Sequence, residues 1–361
     1  MSVNEKTGRS LDGVAEGMGR WLQRHYALAS APEVVSVKPV QTGGMSYETL
    51  IIGTSFPDGS VRDYVLRAPP PDTGIFPDYS LEREGTIQAR LGRAGIPTAI
   101  PLGFETDETW IGVRFLLMPR LSGRTPPDFP FYALEGWMKE LTPALQRRGV
   151  ESFLEWLARI HQLDIAEHGL DLAARDGERG PSRLAEEFRW WRNYLDWAAD
   201  GKPTDEMREV NEIFLWCEQN WPEEEPAPSF LWGDPRQGNS LYDDDMNISG
   251  ILDFDLMSLG PAEVDLAYWL TYRRNAITYY GGSLPELPGF PDREESIMLY
   301  ERFLGRKLLN MEWYEMFAAA RQGSCMAAIQ QTQARRGLPP VVIPPSVLPW
   351  HREIMAGKSI N

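Results

Sequence analysis

The folding possibilities of this chain narrow most at residues 231–256, LWGDPRQGNSLYDDDMNISGILDFDL. Ser229, Phe230, Leu231 and Trp232 read as a short buried strand that Gly233 and Pro235 bring to an end. Leu241–Tyr242 and residues 248–252 then read as a hairpin joined by the polar segment 243–247, with Asp243, Asp244 and Asp245 as a solvated turn rather than a metal cage. Mounted on this frame are Asp234, Asn239 five positions later, and two further carboxylates, Asp253 and Asp255. If residues 251–255 stay extended, alternation puts Asp253 and Asp255 on one face and Leu252 and Phe254 on the other. The hairpin folds the chain back, bringing Asp253 toward Asn239. A carboxylate with an amide oxygen suits a hard cation such as Mg2+ that also holds phosphate. A carboxylate just ahead of that amide is where phosphoryl transfer needs a base for a hydroxyl proton.

The same segment resembles the catalytic region of the aminoglycoside phosphotransferase and choline kinase-like superfamily, whose pattern is His-Gly-Asp, four residues, Asn, then a strand ending in Asp-Trp-Glu or a close variant. On that resemblance Asp234 matches the catalytic aspartate, Asn239 the metal-binding asparagine and Asp253 the metal-binding aspartate. Asp255 falls where the family often carries a second acidic residue. Leu259–Gly260–Pro261 through Asp265–Leu266–Ala267 matches the family's continuation. Trp232 departs from the pattern by occupying the position of the histidine, a structural support in kinase-like folds. The resemblance covers residues 34 to 275. It is nearest to the kinase-like domains fused to some acyl-CoA dehydrogenases, which also read Val-Leu-Arg followed by prolines, as Val65–Leu66–Arg67 does here.

Ahead of this region the pattern is β-rich. Residues 34–40, 47–53 and 61–67 alternate as strands, with a turn at Pro57–Asp58–Gly59–Ser60. Gly43–Gly44 between the first two lets backbone amides come close to a phosphate, and the family carries Gly-Gly-x-Ser here, matching Gly43, Gly44 and Ser46. A helix follows over 81–93 with Leu81, Ile87 and Leu91 on its apolar face. Glu84 is three positions from both Leu81 and Ile87 and so points inward, where a carboxylate needs a partner. Arg67 is the candidate, and the resemblance gives it the role of the cation on the nucleotide phosphates, oriented by the helix glutamate. Two strands are expected over 99–104 and 110–118. Residues 116–123 resemble the family's inter-lobe linker, whose backbone meets the adenine edge. Pro119 lacks an amide hydrogen, which leaves Met118 and Leu121 for that contact.

Helical patterns dominate beyond the Pro-rich loop 125–130. His161 ends a buried-face helix and reads as structural. Trp190, Tyr194 and Trp197 form one helical stripe, either core or a wall of an acceptor pocket. Asp265, near the start of a helix over 262–273, reads as a brace for the catalytic loop. Further helices are expected over 294–304 and 313–335, then an extended Pro-rich arm over 337–349. With 36 basic and 52 acidic residues the net charge is −16, which opposes nucleic acid and anionic membranes. Cys217 and Cys325 lack metal spacing and read as packed thiols of a reducing compartment. Leu11, Ala15, Met18 and Leu22 mark an N-terminal helix that Asp12, Glu16 and Arg20 disqualify as a signal sequence, and no run reaches the roughly 18 apolar residues of a membrane span.

The resemblance therefore implies an α+β, two-lobe protein-kinase-like fold: an N-terminal lobe over 1–118, a hinge over 119–123 and a helical lobe over 124–361. It implies a cytoplasmic phosphotransferase that uses ATP and Mg2+ to phosphorylate a hydroxyl of a small molecule, with no nucleic-acid or membrane partner. Asp234 is the base, Arg236 steadies the transferring phosphate or an anionic acceptor, and Asn239, Asp253 and Asp255 serve the metal. A kinase of hydroxylated acids or hydroxyacyl-CoA, and a nucleotide-binding pseudokinase, are the alternatives. Oligomeric state is not encoded in any of these features.

Overall fold

The computed structural model describes residues 8–40, 46–72, 74–128, 130–175, 177, 180–279, 286–339 and 349–358. Two compact units emerge: one runs to Arg93 and resumes over Thr98–Leu121, the other takes Ala94–Pro97 and the described chain from Ser122 onward.

The first unit comprises helix α1 (Leu11–His25), strands β1 (Glu33–Pro39), β2 (Glu48–Ser55) and β3 (Val61–Ala68), helix α2 (Leu81–Arg93), and strands β4 (Gly103–Glu105) and β5 (Phe115–Pro119). The strands form one antiparallel sheet in the order β1-β2-β3-β5-β4. Strand β5 shows why the sheet needs two covers. Phe115 and Leu117 pack with Val14, Met18, Trp21 and Leu22 of α1, whereas Leu116 and Met118 pack with Leu81 of α2. Successive side chains of a strand point to opposite faces, so a continuous apolar run is stable only between two layers. The Ser10 hydroxyl accepts from the Gly13 amide (3.1 Å) and starts α1.

Both of the later strands are shorter than the sequence pattern predicts. Pro101 cannot donate to a ladder, and regular pairing begins only at Gly103. The turn after Glu105 runs on through Gly112, whose amide donates to Glu108 O (2.7 Å) at φ +80, delaying β5 to Phe115. Gly43 and Gly44 lie outside the described residues, as does 340–348, most of the expected C-terminal arm.

The second unit contains helices α3 (Pro143–His161), α4 (Arg183–Ala199) and α5 (Asp205–Gln219), strands β6 (Pro228–Leu231), β7 (Ser240–Tyr242), β8 (Ile248–Ile251) and β9 (Ser258–Pro261), and helices α6 (Glu263–Tyr279), α7 (Arg293–Leu304), α8 (Met311–Arg335) and α9 (Pro349–Met355). Helix α8 is buried on nearly every face and packs against α4, α5 and α6. Strands β6 and β9 pair antiparallel, as do β7 and β8. The turn of the second pair is held by Asp243, whose Oδ1 accepts from the amides of Asp245 (3.0 Å) and Asn247 (2.8 Å). In α4, Trp190 and Tyr194 stack at 5.2 Å and Tyr194 and Trp197 at 5.6 Å, with Tyr194 buried. The Arg175 guanidinium lies 3.8 Å over Trp190. Among the described residues no helix is long and apolar enough to cross a membrane.

Candidate active site

Strand β6 delivers the chain to Trp232, Gly233 and Asp234, and two buried groups, Asp265 and Arg321, then hold this loop. Asp265, fully buried in the first turn of α6, accepts from the amides of Trp232 (2.7 Å) and Gly233 (3.2 Å). His161, at the end of α3, lies with Nε2 3.1 Å from Asp265 Oδ2, and its Nδ1 is hydrogen-bonded to the Tyr300 hydroxyl. Arg321 of α8, fully buried, donates to the Gly233 carbonyl (2.8 Å). Gly233 itself has φ +94, and a Cβ there would overlap the Leu256 carbonyl, so glycine is required on both counts. Asp265 thus acts as the brace expected from its position, and His161 is part of that brace.

Asp234 is held through one oxygen. Its Oδ2 accepts from Asn239 Nδ2 (2.8 Å) and Arg236 Nε (2.9 Å), and Asn239 Nδ2 also reaches the Asp234 carbonyl (3.1 Å). Its Oδ1 is buried and accepts no hydrogen bond among the described residues. Arg236 extends its other end to Asp128, which also accepts from the Tyr272 hydroxyl through Oδ1 (3.0 Å). Burial works against the Arg236 charge, but the Asp234 and Asp128 carboxylates outweigh it and hold its pKa well above the ordinary value. Burial likewise raises the Tyr272 phenol well above its usual range, keeping it a donor to Asp128.

The segment after β8 differs from the sequence expectation. Regular pairing ends at the Ser240–Ile251 pair, so beyond Ile251 no ladder holds the chain extended. Asp253 takes φ +62 and Asp255 lies in a turn, which removes the alternation that would have put both carboxylates on one face. The approach of this segment to Asn239 holds, because Leu252 N donates to Asn239 O (2.9 Å). The Trp232 indole fixes it further: Nε1 donates to Leu252 O (2.8 Å) and Asp253 O (3.1 Å), while the ring sits against Phe153 and Phe254. The tryptophan thereby joins the Asp234 loop to the Asp253 segment.

Among the described residues no three His, Cys, Asp or Glu side chains group to hold a metal ion unaided. Mg2+ asks for less: one or two protein ligands, with water and phosphate oxygens completing its octahedron. Asn239 fits that demand, since its Nδ2 is committed to Asp234 and its carbonyl oxygen is the remaining ligand atom. Leu252, the residue before Asp253, is bonded to Asn239 through the backbone.

In the first unit Arg67 of β3 and Glu84 of α2 form the expected ion pair, with Glu84 only 2% exposed. The Arg67 guanidinium also lies 4.3 Å over the Tyr47 ring. Ser46 and Met118 are buried; the Met118 sulfur accepts from Gln88 Nε2 (3.7 Å), and Leu121 is half-buried. Cys217 is buried as a packed thiol, whereas Cys325 is half-buried, with burial and the Asp234 charge pushing its thiol up to about 12. Sequence reasoning did not find Asp128, Tyr272 or Arg321. Only Arg321 left a signal, a charge within the small and apolar run 317–328.

Comparison with known proteins identifies the family and the fold. The phosphotransferase enzyme family matches residues 54–287. Acyl-CoA dehydrogenase family member 11 from Gallus gallus is 28% identical over 67% of this chain and 30% of its own length, and the Homo sapiens protein 26% identical over 83% and 36%. The chain therefore spans about a third of the length of these relatives. Among solved structures, a Ralstonia eutropha protein provisionally assigned as an aminoglycoside phosphotransferase superposes with TM-score 0.65 at 21% identity, covering 89% of each chain. A macrolide 2′-phosphotransferase from Brachybacterium faecium superposes with TM-score 0.54 at 17% identity, covering 94% of this chain and 97% of that one. These structures share the α+β kinase-like fold, here a five-stranded antiparallel sheet in one unit and a mainly helical second unit. With the family matching well over half of its residues, the chain belongs to the phosphotransferase enzyme family.

Proposed function

We propose that the protein transfers the γ-phosphate of ATP to a hydroxyl of a small molecule, with Asp234 as the general base. The observation that carries this reading is the asymmetry of the Asp234 carboxylate. Arg236 and Asn239 fix Oδ2, while Oδ1 is buried and accepts no hydrogen bond among the described residues. That oxygen takes the acceptor's hydroxyl proton as the new O–P bond forms and the bond from the γ-phosphorus to ADP breaks. Asn239 and Asp253 would hold Mg2+, with Asp255 assisting, and the ion would supply charge neutralisation on the phosphates. Arg67, oriented by Glu84, supplies the cation for the nucleotide phosphates. On the family resemblance Gly43, Gly44 and Ser46 would serve those phosphates, and the Met118 and Leu121 backbone would meet the nucleobase. Arg236 already engages two carboxylates, so its main service is to hold Asp234.

The acceptor is either an aminoglycoside-like or other small hydroxyl compound, as the names of the structural neighbours suggest, or a hydroxylated acid or hydroxyacyl-CoA, as the name of the sequence relatives suggests. Nucleotide binding is supported by neighbours solved with GDP and ADP. The test is a screen with γ-labelled ATP and Mg2+ across aminoglycosides, choline-like alcohols and hydroxyacyl-CoAs, with Asp234→Asn as the blank. Label on one acceptor class identifies the substrate. Tight Mg2+-dependent ATP binding with no labelled product and no phosphate release identifies a pseudokinase instead.

A further inference from the structure

We infer that Asp128, a residue of the Pro-rich loop ahead of α3, is a positioning residue that keeps Asp234 Oδ1 available by holding Arg236 away from it. The inference rests on the reading of Asp234 as the base and adds a residue that reading does not require.

Three observations converge on Asp128. Both of its oxygens are engaged, Oδ2 by Arg236 Nη1 and Oδ1 by the Tyr272 hydroxyl of α6 (3.0 Å). The catalytic loop is shaped to admit it: a Cβ at Gly238 would overlap the Asp128 carboxylate, so the absence of a side chain at 238 leaves the room that carboxylate fills. Finally, Arg236 is spread between two acids, with Nε on Asp234 Oδ2 (2.9 Å) and Nη1 on Asp128.

The third point gives the mechanism. A guanidinium is a rigid planar fork, and its best arrangement with a lone carboxylate is two parallel bonds, one to each oxygen. If Asp128 were missing, Arg236 would keep its charge in a site where about four-fifths of its side chain is hidden from solvent, and Asp234 would be its remaining acid. Rotation into the bidentate arrangement would then cap Oδ1, the atom the proton must reach. Asp128 opposes this rotation by anchoring Nη1, and Tyr272 fixes Asp128 in place. The device acts on the base and not on nucleotide binding, so its loss lowers turnover and leaves ATP affinity intact.

The test uses the full chain with MgATP and water as the acceptor, measuring phosphate release together with the dissociation constant for ATP. Asp128→Ala is expected to lower kcat about 100-fold, the lower end of what a general base contributes, with the ATP constant within about twofold. Gly238→Ala displaces the same carboxylate from the other side and is expected to reproduce that loss. The double variant should be no slower than Asp128→Ala alone, because both changes break one contact. Thermal unfolding of each variant guards against simple misfolding, since Gly238→Ala leaves Asp128 and Arg236 themselves intact. Normal kcat in Asp128→Ala, or losses that multiply in the double variant, overturns the inference while the base assignment stands. A wild-type protein that transfers no phosphate from MgATP to water or to any acceptor of the screen overturns the phosphotransfer reading, and this inference falls with it.

Discussion

Replacing Trp232 with phenylalanine isolates the link between the two acidic segments of the site. The substitution keeps an aromatic ring against Phe153 and Phe254 but removes the single donor that reaches Leu252 O (2.8 Å) and Asp253 O (3.1 Å). The position is 1% exposed and its two acceptor carbonyls are part-buried, which puts the loss toward the lower part of the range for a buried group. A buried group left without its partner costs about 1–3 kcal/mol, and the space vacated by the smaller ring adds about 1 kcal/mol. The sum is about 2–4 kcal/mol, or roughly 4–8 °C in the melting midpoint at about 2 °C per kcal/mol for a unit of this size. The functional effect is separable from the stability effect. Asp253 stands at φ +62, a conformation that costs a non-glycine residue about 1 kcal/mol or more. Without the indole donor it relaxes, and the Mg2+ concentration for half-maximal ATP binding is expected to rise about 10-fold, the lower end for loss of a group supporting a metal ligand. ATP binding titrated against Mg2+ at a temperature well below the transition reads this directly. A variant with wild-type Mg2+ dependence refutes the claim that Trp232 sets the Asp253 segment, whatever its melting point.

Two more outcomes follow from buried charges. Glu84→Met strips Arg67 of its buried carboxylate and is expected to destabilise the first unit by about 3–5 kcal/mol and weaken ATP binding; urea unfolding and nucleotide titration check both. Burial depresses His351 from its ordinary 6.5 to about 3, so the folded chain holds it neutral while the unfolded chain takes up a proton. The stabilisation is complete above about pH 6.5 and is lost as the pH falls toward 3. Melting midpoints across that window should fall less steeply in His351→Gln than in the wild type, and identical slopes would contradict the assignment.

What was legible in the sequence was local. The hairpin and its turn, the strand before Gly233 and the inward-facing Glu84 each followed from periodicity or turn chemistry within a few residues, and the ion pair to Arg67 followed from the cost of burying an acid. The expectation that Asp253 and Asp255 share a face failed because it extended a strand past the end of its partner, a limit set by pairing and not by the segment's own residues. Asp128 reaches Arg236 across 108 positions of sequence, and a Pro-rich loop carries no pattern that points to one arginine. Gly238 is the only local trace of that contact, and it has meaning only once the carboxylate that fills its space is known.

Asp234 as the base is the claim on which the rest turns, and it is tested most directly by single-turnover phosphate transfer from γ-labelled ATP, comparing wild type with Asp234→Asn and measuring ATP affinity on both. The account predicts that transfer falls by roughly 10²–10⁴, with the ATP dissociation constant little changed and the fold intact. Transfer at the wild-type rate in the variant would contradict it.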